Sequence, residues 1–303
     1  MICAGVDIGT NTALMVIAER YADDTYTVIH DLHEVPRLGE GLDSSGEIAK
    51  DALHRAVESL DRFKSALSDA GVVAARAVAT SAMREAKNST HVRQVLEAAL
   101  GLPIEVISGD TEARLSFLGS VGRTSERTTM IDIGGGSTEY ASGAGGIVTF
   151  AASTSIGAVR FTERYATTRP VTSGSLVDAR NSVSEALEPI LEKYIGSDRL
   201  VGVAGTPTAL AMIDLGLSSY DADLLDGHSM QYRRVLELTE WLFSCTLEEV
   251  RAIPGIHERR ADIVPMGALI LTESMRLLQC TSVKTSVRGL RFGAMLTSTV
   301  TGV

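Results

Sequence analysis

Apolar positions along this chain alternate between two periods. Residues 2–6 and 13–18 are short apolar runs on either side of a polar, glycine-bearing turn, which predicts a β-hairpin, and residues 26–31 predict a third strand. Between residues 47 and 70, Ile48, Leu53, Val57, Leu60, Phe63 and Leu67 recur at helical spacing and Gly71 follows, the pattern of an amphipathic helix stopped by glycine. A strand over residues 76–80, a helix over 88–100, a strand over 104–108 and a helix opening over 111–118 complete the first half.

The second half restarts with an apolar strand over residues 128–133 that runs into Gly134-Gly135-Gly136. Residues 147–152 form a strand expected to pair with the region of Tyr140. Residues 175–194 predict a helix kinked at Pro189. A strand over 200–204 leads into Gly205-Thr206-Pro207, and Thr246-Leu247-Glu248-Glu249 spells a capping-box helix start. A helix over 264–278, a strand over 282–287 and a helix from Gly289 close the chain. Strands alternating with helices give an α/β class.

One strand-turn pattern occurs twice, 125 positions apart: Val6-Asp7-Ile8-Gly9-Thr10-Asn11-Thr12 and Ile131-Asp132-Ile133-Gly134-Gly135-Gly136-Ser137. That spacing is too long for a solenoid and suits two related domains. The polar stretch at residues 122–127 is the natural boundary, so the expected domains are 1–125 and 126–303.

A length of 303 residues permits two cores, and 45% apolar with 22% charged residues is an ordinary globular mix. The net charge is −10: residues 1–125 hold 12 basic and 18 acidic side chains, and the remainder 16 and 20. Neither half is basic, which argues against broad electrostatic binding of nucleic acid. Cys3, Cys245 and Cys280 fit neither a disulfide framework nor a zinc site. The first residues have no basic leader, and no apolar run is long enough for a membrane span, so a cytoplasmic location without membrane contact is expected. The six histidines lack metal-binding spacing, and no Gly-x-Ser-x-Gly elbow stands out.

Each copy of the repeated turn delivers an Asp, a glycine-containing bend and a hydroxyl. Backbone N–H groups in such a bend can converge on an anion. Asp7 and Asp132 cannot bind phosphate themselves but can hold Mg²⁺ or a metal-bound water. Glu139, just beyond the second turn, could share that cation with Asp132. Asn11 and Ser137 offer hydrogen bonds to phosphate, and Arg84, expected in the first turn of a helix after the strand ending at Thr80, suits bidentate phosphate binding. Glu112 opens a helix, where a carboxylate is also favoured by the macrodipole alone.

The two turns resemble the phosphate loops of the superfamily of acetate and sugar kinases, chaperone ATPases and actin. Asp7-Ile8-Gly9-Thr10-Asn11-Thr12, Ala79-Thr80-Ser81-Ala82-Met83-Arg84, Ile107-Ser108-Gly109-Asp110-Thr111-Glu112-Ala113-Arg114 and Asp132-Ile133-Gly134-Gly135-Gly136-Ser137-Thr138-Glu139 look more narrowly like the exopolyphosphatase / guanosine pentaphosphate phosphatase family. Gly202-Val203-Ala204-Gly205-Thr206 and Ser286-Val287-Arg288-Gly289-Leu290-Arg291-Phe292-Gly293 match its later motifs. The resemblance implies two actin-like (ribonuclease H-like) domains facing each other across a cleft, Mg²⁺ as cofactor, inorganic polyphosphate or guanosine pentaphosphate as substrate, and a homodimer. It implies Glu112 as catalytic base, with Glu139 as a second catalytic and metal-linked carboxylate. Asp7 and Asp132 become metal carboxylates. Gly9, Thr10, Asn11, Thr12, Thr80, Arg84, Gly134, Gly135, Gly136, Ser137, Gly205, Thr206, Arg288 and Arg291 become substrate contacts, with Arg288 and Arg291 a basic edge. Two positions depart from the family pattern: Thr111 stands where a glutamate is usual, and Phe292 where an acidic residue is usual. A chain of this extent resembles a short form of the family. With a charge of −10, preference for short polyphosphates is expected.

Two other functions are compatible with the turns alone. A small-molecule kinase of the same superfamily would use ATP. A non-catalytic sensor would bind guanosine tetraphosphate or nucleotide without cleaving it. The segment around Glu112 argues against the first, and the intact acidic residues argue against the second.

Overall fold

The computed structural model describes residues 1–23, 25–194 and 196–299. The chain divides into two compact units, Met1–Gly119 joined by the stretch from Gly289, and Ser120–Arg288. The first unit contains β1 (Ile2–Ile8), β2 (Ala13–Arg20), β3 (Tyr26–Glu34), α1 (Leu42–Ser45), α2 (Lys50–Asp69), β4 (Ala74–Ala79), α3 (Ser81–Glu85), α4 (Ser89–Leu100) and β5 (Ile104–Val106), and α5 (Gly109–Val121) leads out of it. The second contains β6 (Thr128–Ile133), β7 (Thr138–Ala144), β8 (Ile147–Thr154), α6 (Ala158–Tyr165), α7 (Ser173–Leu191), β9 (Arg199–Val203), α8 (Gly205–Leu215), α9 (Ala222–Leu225), β10 (Ser229–Gln231), α10 (Tyr232–Ser244), α11 (Leu247–Arg251), α12 (Val264–Leu277) and β11 (Ser282–Thr285). The last helix, α13 (Leu290–Leu296), returns to the first unit.

The first sheet has the order β3-β2-β1-β4-β5, and the second β10-β11-β9-β6-β7-β8. Read from the third strand of each unit, the first four strands of the two sheets follow the same order, and a further parallel strand comes next, β5 in one and β11 in the other, with β10 added at the edge of the second sheet. In each, a hairpin pair and its antiparallel neighbour lead into parallel strands: β1, β4 and β5 in one unit, β6, β9 and β11 in the other. The expected repeat is therefore a repeat of topology. Both candidate turns leave the carboxyl end of the first parallel strand, where α/β sheets present their ligand sites.

Each unit has its own core. In the first, Phe63, Leu60 and Leu67 of α2 pack with Leu96 and Leu100 of α4 against Val6, Ile8, Met15 and Ile17 of the hairpin. In the second, Leu187, Val183 and Ala179 of α7 join Leu210 of α8, Leu238 and Leu242 of α10 and the almost wholly buried α12. The capping box at Thr246 and Glu249 is present as expected. The sequence pattern passed over α1, α6, α8, α9, β10 and α10. α8 is buried on nearly every side and so lacks an amphipathic stripe, and Pro207 sits in its first turn, where a missing N–H costs nothing. α6 is a single short helix with a loop before it.

The expected boundary at residue 125 needs correction, because α13 belongs with the first sheet. Gly5 of β1 lies directly under the α13 backbone, and a Cβ there would overlap Arg291 and Met295. α13 meets α5 in the same way: a Cβ on Gly119 would overlap the Gly289 carbonyl, and one on Gly293 would overlap Leu115. Phe292 is buried with Cys3, Val16, Ala18, Ala74 and Met295 and stacks obliquely on Tyr26 at 5.8 Å, which accounts for an apolar residue at this position.

Arg291 is also corrected. It is 3% exposed and donates from Nε and Nη2 to the two carboxylate oxygens of Asp31 at 2.8 Å, so it fastens α13 to β3 and offers no basic edge. Burial pushes the Asp31 carboxyl up, but hydrogen bonds from His33 and Arg291 outweigh it and hold the group at about 2.

Replacing Gly119 or Gly293 with Ala should lower stability by about 1–3 kcal/mol or more, seen as a lower urea midpoint, because backbone rather than a movable side chain occupies the space. The Asp31 carboxylate contributes about 2 kcal/mol that is present above about pH 4 and is lost as the pH falls toward about 2. Urea unfolding of Asp31→Asn should therefore differ most from the parent near neutral pH, and the two curves should converge in acid.

Candidate active site

The two turns have the same backbone plan. Gly9 N–H donates to the Thr12 carbonyl at 2.8 Å, and Gly134 N–H to the Ser137 carbonyl at 3.0 Å. Asp7 lies in register with Leu14 of β2 and Val78 of β4, and Asp132 with Glu139 of β7 and Val203 of β9. None of Gly9, Gly134, Gly135 and Gly136 has a positive φ, so these glycines do not serve to make a left-handed bend. They keep the turn bare. Gly157, the residue before α6, sits so close over the second turn that a Cβ would overlap the backbone of Gly135 and Gly136.

The carbonyls of both turns are held from behind. In the first, Gly39 N–H donates to Thr10 O at 2.8 Å and Arg37 N–H to Asn11 O at 3.0 Å. In the second, the first turn of α6 does this: Ala158 N–H donates to Gly134 O and Val159 N–H to Gly135 O, both at 2.9 Å. A trans peptide directs its N–H opposite to its carbonyl. Fixing these carbonyls therefore turns the N–H groups of Asn11 and Thr12, and of Gly135 and Gly136, toward the other side. Those N–H groups find no acceptor among the described residues. Two or three parallel N–H groups of this kind form an anion-binding concavity. Thr10, Asn11 and Ser137 are themselves buried, and Asn11 Oδ1 accepts no hydrogen bond from the described residues.

Beside the first turn, three parallel strands end together. Thr80 N–H donates to Ile8 O at 3.2 Å, and Ile107 N–H to Ala79 O at 3.0 Å. Thr80, buried, begins α3, which carries Arg84. Ser108 caps α5 by accepting the Thr111 N–H at 3.2 Å, and its carbonyl accepts the Glu112 N–H at 2.9 Å. Thr111, the departure from the family pattern, thus serves the cap through its N–H and meets Ser108 Oγ with its hydroxyl at 2.9 Å. Glu112 is only 7% exposed, and Arg84 Nη1 reaches its Oε2 at 2.5 Å and the Ile107 carbonyl at 3.1 Å. The structure thus brings Thr80, Arg84 and Glu112 together. Arg84 Nε and Nη2 take no part in these two bonds.

In the second unit, Glu139 and Asp132 stand directly opposite each other on neighbouring strands, 1% and 9% exposed. Ser153 of β8, in register on the far side, donates to Glu139 Oε1 at 2.6 Å. Opposed like charges are unfavourable on a sheet, and two carboxylates on facing positions are hard oxygen donors of the kind a divalent cation takes. Among the described residues no group of three His, Cys, Asp or Glu side chains converges as a closed metal cage.

The remaining sequence candidates are placed differently. Gly205 begins α8 under the Arg260 guanidinium, and Thr206 is buried against α12 at Gly267. Ala204, just before them, adopts φ 72, a conformation rare for a residue with a Cβ. Arg288 donates to Asp226 at 2.6 Å and remains partly exposed. Sequence reading passed over residues 37–39 and 157–160, which brace the two turns. Their contacts are made largely by backbone groups and carry no residue signature; the glycine at each brace was the one available sign.

Comparison with known proteins places this arrangement in context. Residues 16–301 match the model of the Ppx/GppA phosphatase family. The chain is 35% identical over 289 residues to Exopolyphosphatase 2 of Mycobacterium tuberculosis, covering 91% of this chain and 90% of that protein. Among solved structures it is similar to an exopolyphosphatase-like protein (TM-score 0.90, 30% identity, 98% of each chain). It is also similar to an exopolyphosphatase from Cytophaga hutchinsonii (TM-score 0.88, 26% identity, 97% and 96%) and to the Ppx/GppA family member of Aquifex aeolicus (TM-score 0.81, 25% identity, 98% and 96%). Among the described residues no helix is long and apolar enough to cross a membrane.

Arg84→Ala would leave a buried carboxylate without this partner and should cost about 2–3 kcal/mol in urea unfolding. Adding Glu112→Gln to it should recover part of that loss. Strict additivity of the two changes would contradict the coupling.

Proposed function

Since the chain belongs to the Ppx/GppA phosphatase family, we propose that it removes the terminal phosphate of inorganic polyphosphate, or the 5′ γ-phosphate of guanosine pentaphosphate, by attack of a water that Glu112 deprotonates. The observation that carries this reading is the Glu112–Arg84 pair at the carboxyl ends of β1, β4 and β5, next to a turn whose N–H groups face outward.

Each residue then has a role. Arg84 holds Glu112 through Nη1 and presents its Nε and Nη2 edge to a phosphate, which sets the base against the phosphorus it serves. Glu112 takes a proton from the attacking water as the new O–P bond forms. The bridging O–P bond breaks, and its oxygen leaves with the electron pair on the shortened chain. The N–H groups of each turn, with Asn11 in the first unit and Ser137 in the second, are donors suited to non-bridging phosphate oxygens, where charge accumulates during phosphoryl transfer. Asp132 and Glu139 are the residues suited to hold Mg²⁺ in the second unit, and Asp7 is the corresponding carboxylate of the first. Bound there, the cation would offset phosphate charge.

With this function goes the finer fold assignment, two actin-like (ribonuclease H-like) domains, supported by the four-strand order that the two sheets share. The homodimer implied by the family belongs to the same proposal and is read by light scattering. A net charge of −10 opposes broad contact with a long polyanion, so short polyphosphates should be the better substrates.

The test is phosphate release with Mg²⁺ from guanosine pentaphosphate and from polyphosphates of graded length. Faster turnover of very long polymer would reject the length preference, and ATP consumed ahead of both substrates would favour the kinase. Glu112→Gln should lower kcat by about 10²–10⁴ with substrate binding retained; parental kcat would remove Glu112 from the role of base. Glu139→Gln should raise the Mg²⁺ concentration needed for half-maximal rate by about tenfold.

A further inference from the structure

We propose that Arg160 is a positioning residue for the second glycine turn, aiming the Ser137 N–H at the bound phosphate. The proposal rests on the reading of that turn as a phosphate cradle. Arg160 lies in the first turn of α6, and its Nε donates to the Gly136 carbonyl at 3.0 Å. Its own N–H shares the Gly135 carbonyl with Val159, at 3.2 Å. Since the Gly136–Ser137 peptide is planar and trans, fixing its carbonyl on Nε directs the Ser137 N–H to the opposite side, in line with those of Gly135 and Gly136.

Two observations mark this contact as more than incidental. An arginine in the first turn of a helix opposes the macrodipole, so local helix energetics do not account for it. The same carbonyl is also held in the other turn, where different groups do the work. Asn11, at the position equivalent to Gly136, is held by the Arg37 backbone N–H, and Thr10, equivalent to Gly135, by Gly39 N–H. Two unrelated braces restrain the same pair of carbonyls. In the second unit α6 has backbone donors for Gly134 and Gly135, and the Gly136 carbonyl is served by a side chain.

The test compares Arg160→Gln, whose amide nitrogen occupies the place of Nε without the charge, with Arg160→Met, which keeps the shape and lacks the donor. Inorganic phosphate is titrated while the Ser137 amide is followed by NMR, and hydrolysis of tripolyphosphate is measured in parallel. Arg160→Met should weaken phosphate binding at the Ser137 amide about tenfold, the worth of one well-placed hydrogen bond, and raise KM by a similar factor. Arg160→Gln should stay within about threefold of the parent. A purely structural role would shift the melting temperature of both variants and leave the Ser137 titration alone. The proposal is overturned if Arg160→Met titrates like the parent, or if Arg160→Gln is as impaired as Arg160→Met. Should Arg160→Met fail to fold, the parent protein still decides: the Arg160 Nε–H should be protected from solvent exchange, and exchange as fast as a free guanidinium would reject the bond. Failure of the functional reading looks different, since it would show as a parent enzyme that releases no phosphate.

Discussion

A planar peptide cannot present its carbonyl and its N–H on the same side. Both candidate phosphate turns use that constraint: the carbonyls are drawn backward onto a brace, and the N–H groups have only the forward direction left. An anion in front of such a turn meets several donors already oriented, so little reorganisation accompanies binding or charge development. The braces are therefore as much a part of the site as the turns. Glycine matters here for bareness, because the φ angles of these turns are ones any residue adopts.

The candidate base depends on a second constraint, the close packing of α5. That helix carries Glu112 at its head and Gly119 near its end, and α13 presses against it through Gly119 and Gly293 while resting on β1 at Gly5. Arg291 then ties α13 to Asp31 of β3. A segment far along the chain thus helps fix the helix that sets Glu112 against Arg84. The motif around Arg291 reads as a ligand motif in sequence, but in this fold much of it is the helix that closes the first unit.

The parts legible in the sequence were those with a local cause. The strand periods, the α2 stripe, the capping box at Thr246 and the duplication of the Asp-Ile-Gly turn follow from residues close together in the chain, and each element appears near its expected place. Arg84 and Glu112 were recognised by motif, and the ion pair between them belongs to the fold. What escaped had non-local causes. The return of α13 depends on three glycines separated by more than a hundred positions, and Pro207 disguised a largely buried helix. Arg160 reads as an ordinary helix-surface residue until its carbonyl partner, 24 positions earlier, is seen.

The contact between turn and brace also bears on how the two halves of the duplication diverged. At the first turn the bulk sits on the turn, as Thr10, and the brace has given it up: a Cβ on Gly39 would overlap the Thr10 side chain. At the second, turn and brace are both glycine, Gly135 against Gly157. Occupied volume at such a junction belongs to the pair, and one member can gain a side chain only where the other has none. The two copies record different settlements of that exchange, so drift at a turn position is coupled to a partner more than twenty residues away.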